Sequence, residues 1–250
     1  MNYKRSKYFI TSSKNKITYF LNKKNSQITV VFFHGFMSDM MGKKPSAIQK
    51  FCRAKNLNFL KFEYSGHGKS TGKFIKGNIS KWTNEAEQLI KSKLKKDSSL
   101  IFIGSSMGSW IALNLILKFK YRMKGFIGIA SAPEFLEELM WKKFSKKIKK
   151  ILMKKKIYHL DYGGFTYPIT KQLILDGRKN KVLKKNKLKI PIVLFHGTND
   201  QVVPLKFSKK ILRIFSKSKK KLIKIKNGDH SLSKKSDLKK ICKELNQLIK

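Results

Sequence analysis

Ser106 stands in Gly104-Ser105-Ser106-Met107-Gly108, with glycine two positions to either side. A very tight turn from a strand into a helix needs small residues at those two places, and it leaves the serine hydroxyl exposed at its tip. The N-terminus of the helix that follows offers backbone N–H groups and a positive dipole end to negative charge developing at that tip. Ser105 has the wrong offset from the glycines, so Ser106 is the candidate nucleophile. A serine hydroxyl attacks well only when a neighbouring base takes its proton. Phe195-His-Gly-Thr-Asn-Asp200-Gln-Val-Val-Pro204 follows an apolar run and carries an acid, Asp200. Asn227-Gly-Asp-His230-Ser231 follows the last such run and carries a base, His230. Serine, acid, histidine is an order known for acyl transfer: the histidine meets the hydroxyl through one ring nitrogen while the acid holds the other. Asp229 is a rival acid, but its adjacency to His230 directs its side chain away, so it is expected to cap its own loop.

The segments that must position these residues alternate between strand and helix, which predicts a mostly parallel sheet covered on both faces. Tyr8–Thr11 and Lys16–Leu21 read as an entry hairpin around Ser12-Ser13-Lys14-Asn15. The run Ile28–Phe33 (ITVVFF) has the continuous β-branched and aromatic character of a strand buried on both faces. Further strands are expected at Phe59–Tyr64, Leu100–Ile103, Gly125–Ala130, Ile190–Phe195 and Lys221–Lys226. Helices are expected at Pro45–Lys55, from Met107, at Phe207–Phe215 and at Leu238–Ile249. Lys81–Lys96 carries Trp82, Ala86, Leu89, Ile90 and Leu94 at helical spacing. From Ser131 to about Lys189 the strand rhythm stops. Leu136, Met140, Phe144, Ile148 and Ile151 there predict one amphipathic helix, inserted as a cap over the serine turn. Met140 and Phe144, central on that stripe, are expected to line an acyl-chain pocket.

His34-Gly35-Phe36-Met37 follows the ITVVFF strand, where a second oxyanion donor belongs. The expected donors are therefore the backbone N–H groups of Phe36 and Met107. His34, and His67 within Tyr64-Ser-Gly-His67-Gly-Lys-Ser70, are read as loop-shaping residues, and His196 as a strand-end residue. His159 receives no role. No glycine-rich phosphate loop, His/Cys ligand cluster or dinucleotide fingerprint is present, so neither cofactor nor metal is expected.

Of 250 residues, 58 are Lys or Arg and 14 Asp or Glu, a formal charge of +44. Only five of the cations are arginine, the residue best suited to phosphates and guanine edges. The lysines are spread along the whole chain among Asn and Ile, the mark of codon bias in an AT-rich genome. Specific nucleic-acid binding is not expected on that reading. Cys52 and Cys242 are too few and too far apart for a disulfide framework, pointing to a reducing compartment. The basic start lacks the apolar run of a secretory signal, and the longest apolar stretch, about Met107–Leu117, is too short to span a bilayer.

Three segments together carry a family resemblance: His34-Gly-Phe-Met-Ser-Asp-Met-Met-Gly42, Phe62-Glu-Tyr-Ser-Gly-His-Gly68 and Ile103-Gly-Ser-Ser-Met-Gly-Ser-Trp110. They resemble the branch of the α/β-hydrolase superfamily that includes mitochondrial palmitoyl-protein thioesterases, also described as acyl-glucuronide esterases, and bacterial relatives. The likeness runs through Asp200-Gln-Val-Val-Pro204 and Asp229-His230. It implies one α/β-hydrolase domain over residues 1–250, with a cap at about 131–189. It also implies hydrolysis of small-molecule or protein-linked acyl thioesters and esters through Ser106, Asp200 and His230. The lysine-dense residues 141–156 depart most from the branch. With no transit peptide at its start, the chain is expected to be a bacterial cytoplasmic enzyme. Hydrolysis of a carbon–carbon or peptide bond is open to the same fold. The alternative of a different class, an inactive hydrolase fold that binds nucleic acid or an anionic membrane surface, has only the charge behind it.

Overall fold

A computed structural model describes residues 6–162 and 164–250; the basic start Met1 to Arg5 lies outside them. Eight strands form one sheet: β1 (Lys7–Ile10), β2 (Lys16–Asn22), β3 (Ile28–Phe33), β4 (Asn58–Phe62), β5 (Ser99–Ser105), β6 (Met123–Ile129), β9 (Ile192–Gly197) and β10 (Lys220–Ile225). Their order is β1-β2-β4-β3-β5-β6-β9-β10. The entry hairpin β1–β2 joins antiparallel to β4, and every pairing from β4 to β10 is parallel.

Alternation along β3 shows why the sheet is sandwiched. Val31 and Phe33 enter a core with helices α2 (Ile79–Lys93), α3 (Met107–Ile116) and α6 (Lys206–Ile214). Val30 and Phe32 enter the opposite core, with α1 (Lys43–Ala54) and α7 (Lys235–Ile249). Helix α2 starts where Asn78 Oδ1 accepts the Lys81 N–H at 2.8 Å, an N-cap that satisfies one otherwise orphan donor. Its Trp82, Ala86, Leu89 and Ile90 are fully buried, as their helical spacing requires.

Register brings the loops together. Phe33 pairs with Gly104, Ser105 with Ile129, Ile129 with Phe195, and Gly197 with Ile225. The loops after β3, β5, β9 and β10 therefore leave the sheet at one edge, where ligand sites of parallel sheets form.

The insertion differs from the single amphipathic helix that its stripe predicts. Leu136–Met140 is one π-helical turn and Trp141–Lys143 a 3-10 turn. At Phe144 the backbone is extended (φ −65°, ψ 137°), and α4 (Lys146–Lys155) starts afresh with Ser145 as N-cap. A hairpin, β7 (Ile157–Tyr162) and β8 (Phe165–Thr170), then leads into α5 (Lys171–Lys179). The break turns Phe144 into the core, 8% exposed, with its ring 6.0 Å from Tyr158. Phe144→Ala is therefore expected to destabilise the fold by about 3 kcal/mol, the cost of a buried cavity. A denaturant midpoint within error of wild type would mean that the ring is not part of the core.

Candidate active site

Ser106 sits between β5 and α3 with φ 52° and ψ −118°, a backbone conformation rare for any residue with a Cβ. Its surroundings hold it there. The Ser106 N–H donates to Ile129 O (2.9 Å), and Ser106 O accepts from Ser109 N (3.0 Å) and Ala132 N (3.3 Å). A Cβ on Gly104 would stand 2.4 Å from Ser109 Cα, and one on Gly108 would stand 2.1 Å from the Phe33 carbonyl oxygen. Both glycines are thus dictated by backbone passing against backbone.

His230 spans the gap between serine and acid. Its Nδ1 is 2.9 Å from Asp200 Oδ2, and its Nε2 is 3.1 Å from Ser106 Oγ. A carboxylate only accepts, so Nδ1 carries the proton toward Asp200, leaving Nε2 to accept from the serine hydroxyl. Asp200 Oδ1 accepts the N–H groups of Val202 (2.9 Å) and Val203 (2.8 Å). Burial pushes the Asp200 carboxyl up, but His230, the Val203 N–H and His196 outweigh it and hold the pKa below its ordinary value. His196 was expected to be a strand-end residue, and it does more than end a strand. Fully buried, it donates from Nε2 to Val203 O and accepts from Ser208 at Nδ1, both at 2.8 Å. That Nε2 is also 3.5 Å from Asp200 Oδ2, so His196 braces the acid's loop from behind. Burial lowers its pKa, which keeps the ring neutral. Asp229 turns away as expected and accepts from Leu232 N (2.9 Å) and Ser231 Oγ (3.0 Å).

Of the two expected oxyanion donors, Met107 directly follows Ser106 and Phe36 directly follows Gly35, which lies against it. Met107 is the first residue of α3, where an N–H has no acceptor within the helix. A Cβ on Gly35 would lie 3.5 Å from Ser106 Cβ, so the chain entering Phe36 passes directly over the serine. The Phe36 ring packs on Phe74 (5.1 Å), Phe135 (5.5 Å) and Tyr167 of β8 (6.1 Å), tying this loop to the cap.

Beneath it lie His34 and His67, both buried, with ring centres 5.1 Å apart. Burial lowers the pKa of His34 to about 4, against a partial offset from its hydrogen bond to Gly35 O. Burial, then the neighbouring His34, lowers that of His67 to about 3. An unfolded histidine titrates near 6.5, so between about pH 6.5 and pH 4 the unfolded chain binds more protons at these positions. Their stabilising contribution is complete above about pH 6.5 and declines with acidification, by up to about 1.4 kcal/mol per pH unit for each histidine. Melting temperatures from pH 7 to 4.5 should show this decline, and His67→Phe should make it shallower. An unchanged slope would assign the acid sensitivity to other groups.

A cavity of about 330 Å³ opens beside the serine. Ser106, Gly35 and His230 border it on one side; Asp39, Lys43, Lys44, Ser231 and Ser233 border it farther out. Neither Met140 nor Phe144 lines it: Met140 is half-buried in the cap, and Phe144 belongs to the core. Lys44 is a residue the sequence did not single out, since nothing distinguishes one lysine among so many. Its Nζ donates to the carbonyl of Ser231, next to His230, and to Ser233 Oγ at 3.4 Å. Among the described residues no group of three or more His, Cys, Asp or Glu side chains could hold a metal ion. No helix among them is long and apolar enough to cross a membrane.

A parallel sheet of this order, entered by an antiparallel hairpin and carrying a serine turn after β5, is that of an α/β-hydrolase. The chain belongs to the hydrolase family described as "Serine aminopeptidase, S33", whose profile matches residues 24–172. Among curated proteins it is similar to the mitochondrial palmitoyl-protein thioesterase ABHD10 of Mus musculus, 27% identical over 221 residues, covering 84% of this chain and 71% of that protein. The Bos taurus protein of the same name is 25% identical over 226 residues, covering 88% and 72%. Among solved structures, a protein of Agrobacterium vitis S4 superposes with a TM-score of 0.91 at 27% identity over 98% of both chains. Mouse α/β-hydrolase domain-containing protein 10 does so at 0.88 and 23% identity, again over 98% of each chain.

Proposed function

We propose that Ser106, His230 and Asp200 are the nucleophile, base and orienting acid of a serine hydrolase that cleaves acyl thioesters or carboxylic esters. The observation that carries this reading is the unbroken pair of hydrogen bonds, Ser106 to His230 and His230 to Asp200. In the first half-reaction His230 Nε2 takes the Ser106 proton as Oγ attacks the acyl carbon. The resulting oxyanion lies between the N–H groups of Phe36 and Met107. The imidazolium is steadied by Asp200 and gives its proton to the leaving oxygen or sulfur, leaving an acyl-enzyme. Water, deprotonated by the same nitrogen, then releases the acid and restores Ser106. These steps use no cofactor or metal.

Thioesters enter the proposal through the curated relatives, which are named as palmitoyl-protein thioesterases. The acyl chain is assigned to the cap side, where Phe36, Phe135 and Tyr167 gather. Of the two cap residues singled out by the sequence, half-buried Met140 stays with this assignment and core-facing Phe144 does not. A bacterial cytoplasmic setting, the reading taken from the sequence, belongs to the same proposal. The test is a fluorophosphonate probe with mass spectrometry of the labelled peptide, alongside hydrolysis of S-butyryl thioesters and 4-nitrophenyl butyrate. Stoichiometric labelling of Ser106 with turnover of either substrate is expected. A folded protein that neither labels nor hydrolyses would return the chain to the binding-protein alternative.

A further inference from the structure

We infer that the cavity beside His230 is an anion subsite, which takes a carboxylate or phosphate carried by the leaving group of the substrate, with Lys44 as its main ligand. The inference rests on the esterase reading above and adds a substrate class to it.

Chemistry fixes which end of the substrate lies there. His230 must hand its proton to the departing oxygen or sulfur, so the leaving group lies against that ring. The same ring borders the cavity, together with Ser231 and Ser233. The opposite wall is the start of α1, with Gly42, Lys43, Lys44 and Pro45.

The charges on that wall do not cancel. Among the described residues Lys44 Nζ meets only neutral acceptors, the Ser231 carbonyl and Ser233 Oγ, so one of its three donors is left over among them. Among the described residues no carboxylate lies within 4.0 Å of it. Asp229 and Asp237 act on it from farther off, and burial outweighs them, lowering its pKa to about 8. Among the described residues Asp39 is the one acid on the cavity wall, and it is already engaged. Its Oδ1 accepts the Met41 N–H at 2.6 Å, and its charge acts on Lys61, which is 2% exposed on β4 in register with Phe32 of the cavity. The negative charge at the wall thus has a buried cation to answer it, while the ammonium of Lys44 has, among the described residues, only the more distant Asp229 and Asp237. Helix α1 adds to the imbalance. Its N-cap Gly42 has no side-chain cap, and its first turn has no acidic residue to oppose the positive dipole end. A partly desolvated cation lacking a counter-charge gains most from an anion brought by a ligand.

Two chromogenic thioesters test the carboxylate source: S-butyryl 4-nitrothiophenol, whose leaving thiol carries no ionised substituent and is the neutral member, and S-butyryl 5-thio-2-nitrobenzoate, whose leaving thiol carries a carboxylate and is the anionic member. For phosphate, 1-octanoylglycerol is compared with 1-octanoylglycerol 3-phosphate. In at least one pair kcat/KM should favour the anionic member by about tenfold over the ratio for hydroxide, the worth of one charge-assisted hydrogen bond. The pair that shows it names the anion. Lys44→Gln should lower the anionic member about tenfold more than the neutral one, and Lys44→Arg should restore the preference. Lys96→Gln removes one exposed lysine before β5, at the far end of the sheet, and should leave the preference intact. Equal losses on both members would make Lys44 a tether of the His230 loop and overturn the inference. So would an equal effect of Lys96→Gln, which would trace the preference to the overall +44 field, or the absence of preference in both pairs. Absence of all hydrolysis together with an unlabelled Ser106 would instead defeat the esterase reading and this inference with it.

Discussion

Ser106→Ala is expected to lower kcat/KM for a short acyl ester by about 10⁴-fold or more, since loss of the nucleophile leaves only binding and the oxyanion donors. The fold should hardly notice. Alanine occupies the positive-φ turn no less readily than serine, and among the described residues the deleted hydroxyl bonds only to a partly exposed His230. The melting temperature should move by no more than about 4 °C, the equivalent of about one hydrogen bond in a chain of this size. Stopped assays and thermal scans on the same preparation check both halves. Retention of most activity would transfer the chemistry to another group and end the proposed mechanism.

Gly108→Ala should fail for the opposite reason, through the fold before the chemistry. Alanine inside a helix ordinarily gains about 1 kcal/mol over glycine. Here the new Cβ would lie 2.1 Å from Phe33 O and 2.5 Å from His34 O, backbone atoms at the end of a central strand. Neither can retreat without breaking the β3–β5 register, so overpacking wins. The expected loss is about 4 kcal/mol or more, among the largest single-residue effects. Gly35→Ala is the control, because its Cβ would meet Ser106 Cβ at an ordinary 3.5 Å. Denaturant midpoints of the two variants that coincide would show that α3 does not press on β3 as described.

Much of this was readable from residue types alone, and the reason is burial. Strands such as β3 and β5 are covered on both faces, so they write themselves as unbroken apolar runs such as ITVVFF. The serine turn is legible because its glycines are required by contact. The loop positions of Asp200 and His230 follow once the strands are placed. The cap was harder. Its apolar residues keep helical spacing through Phe144 although the backbone does not, and spacing cannot register one extended residue. Its hairpin has a usable signal, Gly163-Gly164 between aromatic and β-branched flanks, but Pro168 and the short alternation hide it. Lys44 and Lys61 were invisible for a statistical reason, since a lysine carries little information where lysine fills every tolerant site. The scarce acids are the better guide in such a chain. Glu63, Glu85 and Asp237 are all buried, and their carboxylates accept from the N–H groups of Lys69, Ser65 and Lys234 respectively.

Among the described residues both margins of the main sheet are open: β1 pairs with β2 alone, and β10 with β9 alone. An unpaired strand edge invites a second molecule to add its own strand, the first step toward fibrous aggregates. β10 reads Lys-Lys-Leu-Ile-Lys-Ile, with Lys220, Lys221 and Lys224 exposed along it. Lys221 is ion-paired with Glu244, but two copies approaching edge to edge there would still bring the ammonium groups of Lys220 and Lys224 against like charges, which opposes strand addition at this rim. Polyanions that coat those side chains would remove that protection and turn the same rim into a place where chains can join.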